Sequence, residues 1–176
     1  MQNSFIGGDI FTFLSNGGAV GGSGLNYGSF YDTITQIAAI DTPTPMKLNT
    51  TDFVNGFSIE NDLLGNPTRI KADRTGKYNL QFSAQLERTS GGNTRQVDIW
   101  IRINDIDVPF TNTSVNVQAN AGRLVAAWNF FISLNANQYV QIMWAQNDTI
   151  YIAYDIANLT IPYPATPSVI ATIVEV

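Results

Sequence analysis

Between residues 77 and 104, apolar side chains fall at every second position on both sides of a single break, the spacing of half-buried β-strands. Tyr78, Leu80, Phe82, Ala84 and Leu86 share one side of the first segment, and Val97, Ile99, Ile101 and Ile103 share one side of the second. Ser90, Gly91, Gly92 and Asn93 lie between them and supply the polar surface and permissive backbone of a turn, so the two strands are expected to form a hairpin. The opposite side carries Asn79, Gln81, Ser83, Gln85, Gln96, Asp98, Trp100 and Arg102. A face of mostly uncharged polar groups with one large aromatic suits a wet contact between subunits.

The same code continues along the chain. Strands are expected at 34–40, 46–49, 56–60, 68–72, 106–110, 114–118, 123–134, 139–146, 149–154 and 169–176, and no stretch has helical periodicity. Short strands recurring at about ten-residue spacing with no helix mean an all-β sandwich or barrel. Within 123–134 both alternating sets hold apolar residues, Leu124 to Leu134 on one side and Val125 to Phe131 on the other. That strand is therefore expected to be covered on both sides, on one of them by a neighbouring subunit.

Residues 1–30 are different. They hold eight of the 14 glycines, and Asp9 is their only charged side chain. Glycine at this density opposes independent folding. Yet Phe5, Ile6, Ile10, Phe11, Phe13 and Leu14 each forgo about 1.5–3 kcal/mol if left in water. The reading is an extended arm, 1–30, whose apolar part docks on another protein and is followed by a flexible hinge at 17–24; residues 31–176 form the domain. Folding back as a strand on its own domain is the alternative.

Composition narrows the chemistry. Charged residues make up 13% of the 176-residue chain and the net charge is -5, so much of the surface is expected to face protein. The nine Lys and Arg are scattered, none before Lys47, which leaves no basic patch for nucleic acid. No apolar run approaches the roughly 20 residues of a membrane span, and an acidic chain has no electrostatic attraction to an anionic bilayer. With no Cys and no His there is no thiol, no imidazole base and no zinc site of the usual kind, so neither an enzyme nor a cofactor is expected. Asn104, Asp105 and Asp107 offer oxygen ligands for calcium, but too few, and a solvated turn is the expectation there.

Several runs together carry a resemblance. Thr75-Gly76-Lys77-Tyr78-Asn79-Leu80-Gln81-Phe82-Ser83, Val97-Asp98-Ile99-Trp100-Ile101-Arg102-Ile103-Asn104, Ala127-Trp128-Asn129-Phe130, Asn137-Gln138-Tyr139-Val140-Gln141-Ile142 and Pro167-Ser168-Val169-Ile170-Ala171-Thr172 are similar to stretches of the tumour-necrosis-factor and complement-globular-head type of jelly-roll domain. In particular the chain resembles the versions found in phage virion proteins, many of them from cyanophages. The resemblance covers about residues 30–176 and implies a homotrimer of ten-stranded antiparallel jelly-roll sandwiches with structural and binding roles, not catalysis. Where that family has Asn-Gly after the W-x-x-x-N strand, this chain has Asn104-Asp105, which puts the form of the turn in question.

Trp100, Phe131, Tyr139, Tyr151 and parts of the last strand have no position in the expected core, and the four aromatics are assigned to the trimer interface. Two functions follow as expectations. In the first, the chain is a virion structural protein, a capsid cement or decoration trimer on the outer surface of the shell, anchored to the major capsid protein by Phe5, Ile6, Ile10, Phe11, Phe13 and Leu14. In the second it is the receptor-binding knob of a tail or head fibre, presenting the loops around Gly91, Asn104 to Asp107 and Asn147 to a host glycan or protein.

Overall fold

The computed structural model describes residues 24–89, 91–118, 122–158 and 160–176. Among them the regular elements are all strands: β1 (Tyr27–Asp32), β2 (Gln36–Ile37), β3 (Thr44–Pro45), β4 (Thr50–Asn55), β5 (Phe57–Asn61), β6 (Pro67–Ala72), β7 (Gly76–Arg88), β8 (Arg95–Ile103), β9 (Ile106–Asp107), β10 (Thr113–Val117), β11 (Gly122–Leu134), β12 (Tyr139–Gln146), β13 (Tyr151–Ile152) and β14 (Val169–Glu175). Ten have five residues or more, the number the resemblance implies, and four are two-residue fragments.

All pairings are antiparallel and build two seven-stranded sheets. The first runs β11, β7, β14, β1, β4, with β13 and β2 filling out one end; the second runs β10, β8, β12, β6, β5, with β9 and β3 as short additions. Setting aside β4, β5 and the two-residue strands, the remaining eight follow jelly-roll order, crossing between the sheets at every step except from β8 to β10, which are neighbours in the second sheet.

The core lies between the sheets and is filled by the inward set of each strand. Phe30, Ile70, Tyr78, Leu80, Leu86, Ile99, Ile101, Leu134, Val140 and Trp144 are all fully buried there. Because the side-chain period of a strand is two, a single apolar set of this kind fixes which face turns inward.

Pairing is another matter, and the expected hairpin at 77–104 does not form. β7 pairs with β11, β13 and β14, whereas β8 pairs with β9, β10 and β12, so the connection after Arg88 crosses from one sheet to the other. Alternation states which side of a strand is core and is silent about its neighbour. Arg88 helps fix the crossing: it is 1% exposed, donates to the Asn93 carbonyl, and lies 2.5 Å from Asp148 Oδ2. Gly91, at φ 113°, sits against the Arg88 guanidinium where a Cβ would collide with it.

The 34–40 strand shrinks to β2. There the pattern is inverted: Ile34, Ile37 and Ile40 face solvent and Gln36 is buried. Gln36 works as a strap, donating from Nε2 to Asp32 Oδ2 (2.7 Å) and to the Lys47 carbonyl (3.0 Å) while accepting from the Lys47 amide (2.8 Å). Residues 46–49 are not a strand either, although Met46 and Leu48 enter the core. β1 and β4 were not expected. Residues 27–30, assigned to the arm, belong to β1 and pair with both β14 and β4, so the sandwich begins earlier than residue 31.

Asn104 (φ 46°) and Asp105 (φ 64°) take the two positive angles of a type I′ turn between β8 and β9. Asn and Asp tolerate this region better than other side chains, and the turn closes without the Gly of the resembled family.

Candidate subunit interface

On β7, every residue that is not core points away from the sandwich, and the register shows what stands beside it. Asn79 faces Phe131 of β11 and Val174 of β14; Gln81 faces Asn129 and Thr172; Ser83 faces Ala127 and Ile170; Gln85 faces Val125. Between Lys77 at one end and Glu87 with Arg123 at the other, this outer surface of β11, β7 and β14 carries no charge. Tyr27 and Phe53, with ring centroids 6.0 Å apart, continue it onto β1 and β4. Phe131 is 72% exposed, and Val125, Ile170 and Val174 are exposed as well.

The margin of this surface is β11. Among the described residues it pairs with β7 alone, leaving the other side of a 13-residue strand without a ladder partner. Its inward set is only half covered here: Leu124, Trp128 and Phe130 pack against the core without being enclosed. Trp128 meets Phe82 edge-on at 4.8 Å, and its buried indole Nε1 has no acceptor among the described residues. A bare edge, an exposed apolar face and an orphan donor are each costly features for a monomer to leave open.

The four residues assigned to the interface divide between the two outer surfaces. Phe131 and Tyr151 stand on the first sheet, near opposite ends of β7, where they face Asn79 and Glu87. Trp100 and Tyr139 stand on the second sheet, each tied into polar contacts. Trp100 Nε1 donates to Asp107 Oδ1 (2.7 Å), and the Tyr139 hydroxyl donates to Asp105 Oδ2 (2.6 Å) with Arg69 over its ring at 4.4 Å. Burial and the bond to Asp105 hold the Tyr139 hydroxyl above its ordinary pKa. The structure therefore does not gather the four into one patch. Tyr27 and Phe53 were missed; the alternation of 123–134 pointed to Val125, and the positions of the last strand left outside the core pointed to the region of Ile170 and Val174.

Phe5, Ile6, Ile10, Phe11, Phe13 and Leu14 lie outside the described residues. No group of three or more Asp and Glu able to hold a metal is present among the described residues. The carboxylates of the 104–107 turn are already engaged: Asp107 Oδ1 accepts from Arg102 Nε at 2.7 Å, an interaction that holds its pKa below the usual carboxylate range, and Asp105 faces Arg69 at 3.5 Å.

No protein-family model matches the chain, and no curated protein matches it in sequence. Among solved structures, the chain is similar to the globular domain of zebrafish complement 1qA protein, at 12% identity over 86% of this chain and 97% of that one, with a TM-score of 0.48. The sandwich itself stands on the strand pairing given above.

Proposed function

We propose that the chain is a virion structural protein, a capsid decoration trimer that sits on the outer surface of the shell and stabilises it. The observation that carries the assembly is the uncharged outer surface of β11, β7 and β14 together with the unpaired β11 edge. In a closed ring, the β11 edge of one subunit packs against that surface on the next, burying Phe131 and Val125 and giving Trp128 Nε1 a neighbour. Three subunits is the number brought by the sequence resemblance. The role is structural and binding, with no catalytic step and no cofactor.

Anchoring to the major capsid protein is assigned to Phe5, Ile6, Ile10, Phe11, Phe13 and Leu14. Three arms on one trimer raise the effective concentration of each for its site, so weak individual contacts add up to stable attachment. Three measurements test this reading. Light scattering at micromolar concentration is expected to give three times the chain mass; a monomer overturns the assembly. Deleting residues 1–23 is expected to leave that mass ratio unchanged and to abolish binding to capsid shells, and unchanged shell binding removes the arm as anchor. Immunogold labelling of virions with antibody to residues 31–176 is expected over the whole head; label confined to a tail or fibre tip replaces this reading with the receptor-binding knob.

A further inference from the structure

On the opposite side of the molecule, the outer face of the second sheet holds a shallow recess of about 440 Å³ between β8 and the loop that follows β9. Its walls are Trp100, Val108, Pro109, Phe110 and Ala145, and its polar groups include Asp98 and Asp107. Volume and apolar lining with a few fixed polar atoms are those of a small-group binding site.

Both carboxylates are held in place by hydrogen bonds from the protein. Asp98 Oδ1 accepts from Gln96 Nε2 (3.0 Å), Asn112 Nδ2 (3.1 Å) and Ser114 Oγ, while Oδ2 accepts only from Gln96 (2.8 Å). All three donors are neutral. Asp107 Oδ1 accepts from Trp100 Nε1 and Arg102 Nε, both at 2.7 Å. Arg102 offsets one of the two negative charges, and the Asp98 charge has no cation paired with it among the described residues. Phe110 stands fully exposed at the rim of the recess. Its loop is fixed to β8 by Thr111 Oγ1, which donates to the Val108 carbonyl (2.8 Å) and accepts from the Ile101 amide (3.1 Å).

We infer that this recess binds a cationic side chain, arginine or lysine, presented by a segment of a partner protein. The complement to an uncompensated carboxylate beside two aromatic rings is a group with a positive head and an apolar stem. Among the described residues no cation of the subunit forms an ion pair with Asp98. The segment before Gly24 contains no Lys or Arg, and seven of the nine cations elsewhere are already in ion pairs within the subunit. The inference does not rest on the assembly proposed above, because the recess belongs to the other sheet and is complete within one subunit.

The test uses the full chain and the peptide N-acetyl-Gly-Arg-Gly-amide, followed by NMR at the indole N–H signals, which Trp100→Phe assigns. Saturable movement of the Trp100 signal is expected, with Kd on the order of millimolar. The peptide with citrulline, which keeps the shape of arginine and removes its charge, is expected to move it far less. Asp98→Asn is expected to weaken arginine binding about tenfold, the size of a charge-assisted hydrogen bond. Phe110→Ala, at a ring with no packing role, is expected to weaken it about threefold while leaving the rest of the spectrum in place. Equal response to citrulline, movement with a methyl glycoside in place of arginine, or no movement with either peptide at millimolar concentration overturns the inference.

Discussion

The two outer surfaces of the sandwich are made from strands of the same kind, with the same alternation and opposite decoration. On the second sheet, Arg69 pairs with Asp105 at 3.5 Å, Lys71 with Glu60 at 2.7 Å and Arg102 with Asp107 at 2.7 Å, so ion pairs are spread over a surface that also holds Trp100 and Ala145. On the first, the centre is Asn, Gln, Ser, Thr, Ala, Val, Ile and Phe, and ion pairs are confined to its ends, as at Arg123 with Asp155 (2.5 Å) and Glu87 (2.8 Å). Exposed ion pairs contribute little to stability, commonly below about 1 kcal/mol. Their value lies in keeping a surface wet and self-avoiding, so the surface that lacks them is the one suited to contact with another subunit.

The contrast is open to breakage, most severely at Phe131. Phe131→Asp is expected to convert the assembly to monomers by light scattering, whereas Ile106→Asp, equally exposed on β9 of the second sheet, is expected to leave the mass unchanged. Equal behaviour of the two variants sinks the distinction between the surfaces. Next in size, Ile132 is the inward neighbour of Phe131 on β11, and Ile132→Ala is expected to cost about 2–5 kcal/mol in chemical denaturation. Phe131→Ala is expected to cost the isolated subunit less than about 0.5 kcal/mol. Comparable losses at the two sites indicate that Phe131 is covered within its own subunit.

Acid separates surface carboxylates from the buried one. Hydrogen bonds from Ser114, Gln96 and Asn112 outweigh burial at Asp98, and Arg102 acts likewise on Asp107, so both titrate below the usual carboxylate range. Their stabilisation is present above the unfolded value of about 3.9 and is lost as pH falls through the lowered folded values. Asp32 is the reverse. Burial outweighs its bonds to Gln36 and Ser168 and raises its pKa, so its contribution is most favourable below about pH 3.9 and declines as pH rises through the folded value. The melting temperature of Asp32→Asn relative to wild type is therefore expected to improve between pH 3 and pH 7. A difference independent of pH contradicts the buried-carboxylate account. On the charged surface, Lys71→Ala is expected to change stability by less than about 1 kcal/mol, read from the denaturation midpoint.

What could be read from the sequence was orientation. Tyr78, Leu80, Val97 and Ile99 announced their inward face because period two admits no other reading. Partnership could not be read, since the local pattern at 77–104 is the same for a hairpin as for a crossing between sheets. β1 escaped notice because Gly28 and Ser29 dilute its pattern, and β2 was misread because its buried member is Gln36, whose amide bonds replace apolar contact. For the interface, aromatic residues without a core position pointed to both outer surfaces alike. Only the register of β7 against β11 and β14, joining residues distant in sequence, separates an uncharged face from a charged one.

Both described ends of the chain meet at one pole. The Glu175 amide donates to the Asn26 carbonyl (2.8 Å), the Asn26 amide donates to Glu175 Oε2 (2.9 Å), and Arg74 donates to the Gly24 carbonyl (2.8 Å). A cargo protein fused after Val176 would thus emerge alongside the segment that precedes Gly24. Anyone displaying an antigen or enzyme on this scaffold would crowd that segment by fusing there, whereas insertion at the Leu63-Leu64 tip between β5 and β6, fully exposed and closed by the bond from the Asp62 amide to the Asn66 carbonyl (2.8 Å), leaves the terminal pole clear.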